Sequence, residues 1–365
     1  MKIGIDASRA FLEKRTGIEE YSYRVIQNLK NDLRDHTVIL YIRDGQQAII
    51  NSQQWPEKWK MKVVRWPKFW TQIGLSIEMY LRPIDVLFVP AHTVPIIHPK
   101  NTIVTIHGLE YEFCKNAYSF WARIYMRWTI KKSCQWARDI ISVSENTKKD
   151  LIELYGVSEK KISVIHEGFN LQEGETKTNE CLVFNKISST KYLLFIGRIE
   201  ERKNIFNIIK AFEILKEKYK ITHSLVLVGK RGYGFKDIKF QINNSKYADD
   251  IVRMGFVSEE EKWKLLRNAE AFVFPTHYEG FGIPLLEAQS VGCVVVAGNN
   301  SSIPEVAGAG AVLVDEKSPE DIAEALWKLI SNESSKNAIL SKGLENVKRF
   351  SWKKCSKEIA EIILK

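Results

Sequence analysis

Short apolar runs rich in Ile and Val recur along the first half of the chain, each closed by polar, Pro or Gly residues. They are KIGI (2–5), TVILYI (37–42), VLFVP (86–90), TIVTI (102–106), DIISVS (139–144) and ISVIHEG (162–168). At this length, and with continuous rather than alternating apolar character, they predict strands buried on both faces, hence a parallel sheet covered by helices. Longer amphipathic stretches lie between them, for example 17–31 and 116–137. From about 171 to 190 the sequence LQEGETKTNECLVFNKISST loses periodicity and becomes polar, which reads as an interdomain connection plus one irregular piece. A second alternation follows: YLLFIG (192–197), a helix over 204–219, SLVLVG (224–229), a helix near 258–268, AFVFPT (271–276), a helix over 284–291, VVVA (294–297), AVLV (311–314) and a helix over 319–331. The expected fold class is α/β, with two doubly wound, Rossmann-like parallel-sheet domains over 1–172 and 191–350, joined by a linker at 173–190. Ligands of open α/β sheets bind at the C-terminal ends of the strands, so a central cleft between the two domains is the expected site.

A length of 365 residues agrees with two domains, and 45% hydrophobic with 27% charged residues is ordinary globular composition. No apolar run approaches the roughly 18 residues of a membrane-spanning helix. The opening MKIGIDASRA reaches Asp6 after too short an apolar run for a secretory signal, so none is expected. Five Cys, at 114, 134, 181, 293 and 355, are widely spaced and form no CxxC, which argues against a zinc site or a disulfide framework and for a reducing, cytoplasmic setting. The net charge of +10 could serve nucleic acid, anionic lipid or a phosphate-bearing substrate. The excess is spread evenly: residues 1–180 hold 26 Lys/Arg against 21 Asp/Glu, and 181–365 hold 28 against 23. There is no separate basic domain or tail, and no nucleic-acid partner is expected.

The most informative stretch is Ala271 to Gly292, AFVFPTHYEGFGIPLLEAQSVG. A strand runs out at Pro275, the loop HYEGFG follows, and a helix begins near Pro284, whose missing N–H costs nothing in a first helical turn. Gly280 and Gly282 clear side chains from a place where a ligand could approach the backbone. The N–H groups of Phe281, Gly282 and Ile283 at the helix start suit an anion such as a diphosphate. The same stretch also fits a plain strand-to-helix turn. Two carboxylates, Glu279 and Glu287, bracket the loop with seven residues between. A carboxylate accepts hydrogen bonds from two hydroxyls at once, which suits a sugar or a ribose.

EGFGIPLLE resembles the E-x7-E signature of GT-B glycosyltransferases, most closely the retaining family-4 type. The likeness continues in YLLFIGRIEERKNI (192–205), similar to the strand–Gly-Arg–x3–Arg-Lys-Asn element of that family, in IVRMGFVSEEEKWKLLRNAEAFVFPT (251–276) and in SSIPEVAGAGAVLVD (301–315). GIDASRAFLEKRTGIEEYSYRVIQNL (4–29) is similar to the acceptor-domain opening of its mannosyltransferase-like branch. The resemblance implies that Arg198 and Lys203 hold the donor diphosphate, that Glu279 contacts the sugar hydroxyls and that Glu287 contacts the ribose. It implies further donor contacts at Val257, Gly280, Phe281, Gly282 and Ile283. Gly17 matches a glycine whose backbone approaches the diphosphate, and His107 matches a histidine close to the transferred sugar. His107, Arg198, Lys203 and Glu279 are thus the implied catalytic set. The family's architecture also implies that a C-terminal helix at 351–365 completes the first domain. The chain departs from the family at three places: Ala-Gln-Ser (288–290) for Ala-Met-Ala, Gly108 for a common Asp after His107, and His166-Glu167-Gly168 for a frequent Pro-Asn-Gly.

No Asp-x-Asp occurs in the chain, and both Gly232-Tyr-Gly234 and Gly308-Ala-Gly310 lack the third Gly of a dinucleotide fingerprint. Neither a catalytic metal nor a dinucleotide cofactor is therefore expected; the donor is a substrate. The implied reaction is transfer of a hexosyl group, with retention, from a nucleoside diphosphate sugar to an acceptor hydroxyl. GDP-mannose is the leading donor, with a UDP-sugar or another activated hexose as alternatives, and the acceptor is expected to be a growing, lipid-linked surface glycan. No Asp or Glu can be placed on the far face of the sugar, so front-face attack is the default over double displacement. A GT-B 2-epimerase and a non-catalytic sugar-nucleotide-binding protein are the competing readings.

A lipid-linked acceptor would put the protein on the inner face of the cytoplasmic membrane. The segment 55–70, WPEKWKMKVVRWPKFW, combines Trp55, Trp59, Trp66 and Trp70 with Lys58, Lys62 and other basic residues. Trp favours the headgroup region and basic residues favour anionic leaflets, so this segment is the expected docking element. A second stretch, 113–138, repeats the theme with Trp121, Trp128 and Trp136 among basic residues, but Trp121, Tyr125 and Trp128 form one helical stripe, a spacing more often core-facing, so the docking expectation rests mainly on 55–70.

Overall fold

The computed structural model describes residues 1–169 and 191–365; the expected linker 173–190 lies outside the described residues. The chain divides into two units, Met1–Glu112 with Ser119–Asn170 and Phe350–Lys365, and Phe113–Tyr118 with Leu171–Arg349. The C-terminal helix therefore returns to the first unit, while the short excursion Phe113–Tyr118 groups with the second.

In the first unit seven strands, β1 (Lys2–Asp6), β2 (Thr37–Arg43), β3 (Trp59–Val64), β4 (Val86–Val89), β5 (Asn101–Ile106), β6 (Asp139–Ser142) and β7 (Ile162–Val164), form one sheet in the order β3-β2-β1-β4-β5-β6-β7. Every pairing is parallel. Ile3, Ile5, Leu87, Phe88, Ile103 and Val104 are fully buried, as strands covered on both faces require. The helix Gly17–Asp32 lays Tyr21, Val25, Ile26 and Leu29 on the sheet, a single stripe at helical spacing. The terminal helix Trp352–Ile363 packs beside it: Trp352 meets the Tyr21 ring edge-on, and the Ser356 hydroxyl donates to Asp32 at 3.3 Å. Gly168 makes that return possible, because a Cβ there would lie 2.1 Å from the Trp352 backbone nitrogen.

The second unit repeats the plan with six parallel strands: β8 (Tyr192–Ile196), β9 (Ser224–Val228), β10 (Ile251–Gly255), β11 (Ala271–Phe274), β12 (Val295–Gly298) and β13 (Ala311–Val314). Their order is β10-β9-β8-β11-β12-β13. The strand order reverses between β8 and β11, which lie side by side. That is the switch point at which the loops leaving the two strands diverge and open a crevice.

The segment 55–70 departs from its expected role. It supplies β3, an edge strand paired along its length with β2. Trp59 and Trp70 are buried, and their indole N–H groups donate to the carbonyls of Leu33 (3.2 Å) and Val64 (2.9 Å). Trp55 is half-buried, stacked on Trp59 with the Lys30 ammonium 3.8 Å from its ring centre. These rings bury apolar area in the core of the unit, so they are not available to a bilayer. Lys58 and Trp66 do remain exposed, and Lys62 is half-buried. Of the two readings of the second stretch, the core-facing one fails: in the helix Phe120–Trp136, Trp121 is 76% exposed, and Tyr125 and Trp128 are also exposed.

Candidate active site

The loops leaving β8 and β11 carry the charged residues of the second unit's switch point. After β8 the chain passes Gly197 to Arg198, whose side chain is 67% exposed and lies 3.6 Å from a Glu200 oxygen. A single 3-10 turn, Glu201–Lys203, then buries Lys203. Asn204 follows with φ +60, a left-handed conformation that Asn tolerates. Its side-chain amide donates to the carbonyls of Pro275 (2.8 Å) and Glu316 (2.6 Å). The first fixes the β8 loop against the end of β11, and the second against the loop after β13.

From the β11 side comes Glu279, mostly buried. Its carboxylate accepts from the Lys203 ammonium and lies 3.5 Å from Arg202. Arg202 also donates to the Tyr278 carbonyl (3.0 Å) and pairs with Glu200 (3.1 Å). Burial works to raise the Glu279 pKa, but Lys203 and Arg202 outweigh it and hold the carboxyl below the usual carboxylate range. Burial pulls Lys203 below the usual ammonium value, with Glu279 opposing. Lys203 is thus paired with Glu279, and Arg198 is an exposed cation at this edge. Arg202 and Glu200 escaped the sequence reading; the signal was in EERK (200–203), where they precede Lys203.

The rest of the loop is braced from behind. The Glu279 N–H donates to the Ser301 hydroxyl (3.0 Å), and the Ser302 hydroxyl donates to the Glu279 and Phe281 carbonyls (both 2.9 Å). Phe281 is buried, Gly280 is half-buried and Gly282 caps the helix Ile283–Ser290. Gly282 has φ +107, which strains any residue with a Cβ. Glu287 lies in the helix's second turn, its carboxylate 2.8 Å from Lys262, which also holds Glu259 at 2.7 Å. Lys262 escaped the sequence reading, because nothing local links residues 262 and 287. Val257 is half-buried between the end of β10 and Ser258, the cap of the helix Glu259–Asn268.

The remaining two expected residues belong to the first unit. Gly17 opens the helix Gly17–Asp32, with Thr16 as its cap. A Cβ on Gly17 would meet nothing within 4 Å, so the protein's own packing leaves that space open. His107 follows β5 directly, and both its ring nitrogens are engaged. Nε2 lies 2.9 Å from the Pro90 carbonyl, and Nδ1 lies 3.1 Å from the Glu167 carboxyl. The ring also meets Tyr21 edge-on at 4.5 Å and His92 at 5.3 Å. A sugar hydroxyl could take a ring nitrogen only in exchange for one of those bonds. Glu167 is the fourth residue missed, and its signal was the departure from Pro-Asn-Gly at 166–168.

Among the described residues no group of three or more His, Cys, Asp or Glu side chains is arranged to hold a metal ion. Two parallel-sheet α/β units with charged loops at a strand-order switch define the GT-B class of fold. The family model "Glycosyltransferase Family 4" matches residues 15–173 and "Glycosyl transferases group 1" matches residues 182–345. The chain belongs to this glycosyltransferase family and is a glycosyltransferase. It is 28% identical over 261 residues to the O-antigen chain mannosyltransferase B of Escherichia coli, covering 70% of this chain and 68% of that protein. In fold it is similar to WaaG, a glycosyltransferase involved in lipopolysaccharide biosynthesis, with a TM-score of 0.73 at 15% identity over 100% of this chain and 99% of that one. Anabaena HepE, solved with UDP and glucose, gives a TM-score of 0.74 at 15% identity over 99% and 98%.

Proposed function

We propose that this glycosyltransferase moves a hexosyl group from a nucleoside diphosphate sugar to a hydroxyl of a growing surface glycan carried on a lipid. The leading donor is GDP-mannose, and the transfer retains the anomeric configuration without a metal. The observation that carries the donor assignment is the Glu279–Lys203–Arg202 cluster at the β8–β11 switch point, with the exposed Arg198 beside it. A guanidinium fork is suited to a diphosphate, whose charge grows as the glycosidic bond breaks. A carboxylate held ionised accepts two sugar hydroxyls. The GDP-mannose and surface-glycan parts rest on the mannosyltransferase relative and on the lipopolysaccharide enzyme of the same fold. Nucleotide-sugar binding gains support from the UDP held by the HepE structure.

A donor screen tests this. GDP-mannose, UDP-glucose, UDP-N-acetylhexosamines and a nucleotide-free sugar phosphate are compared by thermal shift. The expected result is stabilisation by one nucleoside diphosphate sugar and by its free nucleoside diphosphate. No shift with any nucleotide would overturn the reading.

A further inference from the structure

We propose that a cavity of about 330 Å³ in the second unit, walled by Phe113, Lys115, Glu201, Arg202 and His277, is the subsite for the acceptor's terminal sugar and takes a neutral hexose ring. The proposal rests on the transferase reading above and deepens it, by naming what the acceptor presents to the donor.

The cavity forms where the excursion Phe113–Tyr118 meets the loops after β8 and β11, and the residues lining it all belong to the second unit. Arg202 ties it to the site already described. Its guanidinium lies 3.5 Å from Glu279 and donates to the Tyr278 carbonyl at 3.0 Å. A group in the cavity therefore sits one side chain away from the carboxylate assigned to the transferred sugar. Transfer needs the acceptor hydroxyl and the donor sugar in contact, so an acceptor subsite has to lie that close.

The polar groups on the wall are not used by the protein. Among the described residues, no hydrogen bond or ion pair holds the Lys115 ammonium, the Glu201 carboxylate or the His277 ring. The neighbouring cations are paired: Arg202 with Glu200 and Glu279, and Lys203 with Glu279. Phe113 is half exposed and stacked on Tyr278, with ring centres 4.7 Å apart and planes at 12°. Tyr278 is itself buried, so it holds the Phe113 ring as a fixed platform. An aromatic wall with a few convergent polar groups marks a small-molecule site, and the volume is at the low end of the range of about 300–1,000 Å³ for such sites.

The chemistry of the wall favours a sugar over an anion. The Glu201 carboxylate only accepts hydrogen bonds, the Lys115 ammonium only donates, and a neutral imidazole does both. Burial holds the His277 ring below its usual pKa, with Glu316 and Glu201 opposing, so the ring is neutral at pH 7. Sugar hydroxyls donate and accept, and so match all three groups. A phosphate or carboxylate would meet like charge at Glu201 and no positive charge at His277. The face of an aromatic ring is electron-rich and attracts the C–H face of a sugar.

Saturation-transfer NMR of the full chain tests the proposal, with the methyl α-glycosides of mannose, glucose, galactose and N-acetylglucosamine as probes. At least one of these neutral glycosides is expected to bind, with transfer strongest to its ring C–H protons. Phe113→Ala and Glu201→Ala should each raise its Kd at least about fivefold. Lys239→Ala, exposed and outside the cavity, should leave it unchanged. Melting temperature confirms that each variant is folded. No glycoside binding to the parent, or unchanged binding in both cavity variants, would overturn the proposal. Preferential binding of inorganic phosphate or methyl glucuronide would make the cavity an anion site and overturn it too. Displacement of the glycoside by a nucleoside diphosphate sugar would assign the cavity to the donor's own sugar, with the same consequence. The thermal shift with nucleotides is read on the same samples. A shift without glycoside binding fails the subsite alone, and glycoside binding without a shift fails the transferase reading while the sugar site stands.

Discussion

The Lys203 ammonium meets the Glu279 carboxylate across 76 residues of sequence, joining the loop after β8 to the loop after β11. Neither strand alone builds the site. The pair forms because the two strands are neighbours where the strand order reverses, so their outgoing loops share one edge. Removing one partner from such a buried pair leaves an uncompensated charge, at a cost of about 3 kcal/mol or more. Stability and the proposed donor binding therefore draw on the same residues.

The pair makes a signed prediction with pH. Glu279 is held below the usual carboxylate range, so its contribution to stability is present above the unfolded-state value and is lost as pH falls through the folded-state value. In Lys203→Met the larger opposition to burial is lost, leaving Arg202 and Thr276, and the carboxyl pKa rises. The variant should be less stable than the parent at neutral pH, with the gap in melting temperature narrowing as pH drops toward about 5. Melting curves across that range check it; a gap independent of pH would show that Glu279 does not depend on Lys203.

Much of this site was legible in sequence because its parts are local. Strand, glycine loop and helix start fall within 271–292, and Arg198 and Lys203 lie five residues apart. What was not legible depends on distant packing. Lys262 reaches Glu287, and Glu167 reaches His107, across turns of the fold that no spacing rule encodes. The aromatic segments failed in an instructive way. Composition made 55–70 look amphipathic and surface-bound, but sheet pairing with β2 consumed it, and Trp59 and Trp70 found backbone carbonyls for their N–H groups. The stripe Trp121–Tyr125–Trp128 has the periodicity of a core helix. Periodicity reports that one face is apolar, however, and does not say what that face meets.

His107 and Glu167 give a second test. The Pro90 carbonyl can only accept, so Nε2 of His107 carries a proton. The Nδ1–Glu167 bond then needs a proton on either the ring or the carboxyl. Glu167→Ala should cost about 2 kcal/mol in chemical denaturation, the usual range for a buried hydrogen bond to a charged group, and Glu167→Gln less than half of that. Equal losses for both substitutions would mean that packing, rather than the hydrogen bond, holds this residue in place.

Metal dependence follows from the cations already at the donor edge. With the exposed Arg198 at this edge and the N-terminus of the helix Ile283–Ser290 following β11, the developing phosphate charge can be met by fixed groups in the protein. Turnover is expected to survive EDTA within about twofold, a change far smaller than the loss of one charge-stabilising group. Abolition by EDTA with recovery on adding Mn²⁺ or Mg²⁺ would contradict it.

The central claim is that the β8–β11 edge binds the donor and stabilises its departing diphosphate. Acceptor-dependent nucleoside diphosphate release, compared between parent, Arg198→Ala and Glu279→Gln, tests it most directly. Arg198 is exposed, so its loss should leave the fold intact, and Gln is preferred to Ala at position 279 because it fills the same space beside Lys203. The account predicts release only when acceptor is present, and a fall of at least about 100-fold in each variant at an unchanged melting temperature for Arg198→Ala. Release without acceptor, or near-parental turnover in folded Arg198→Ala, would contradict it.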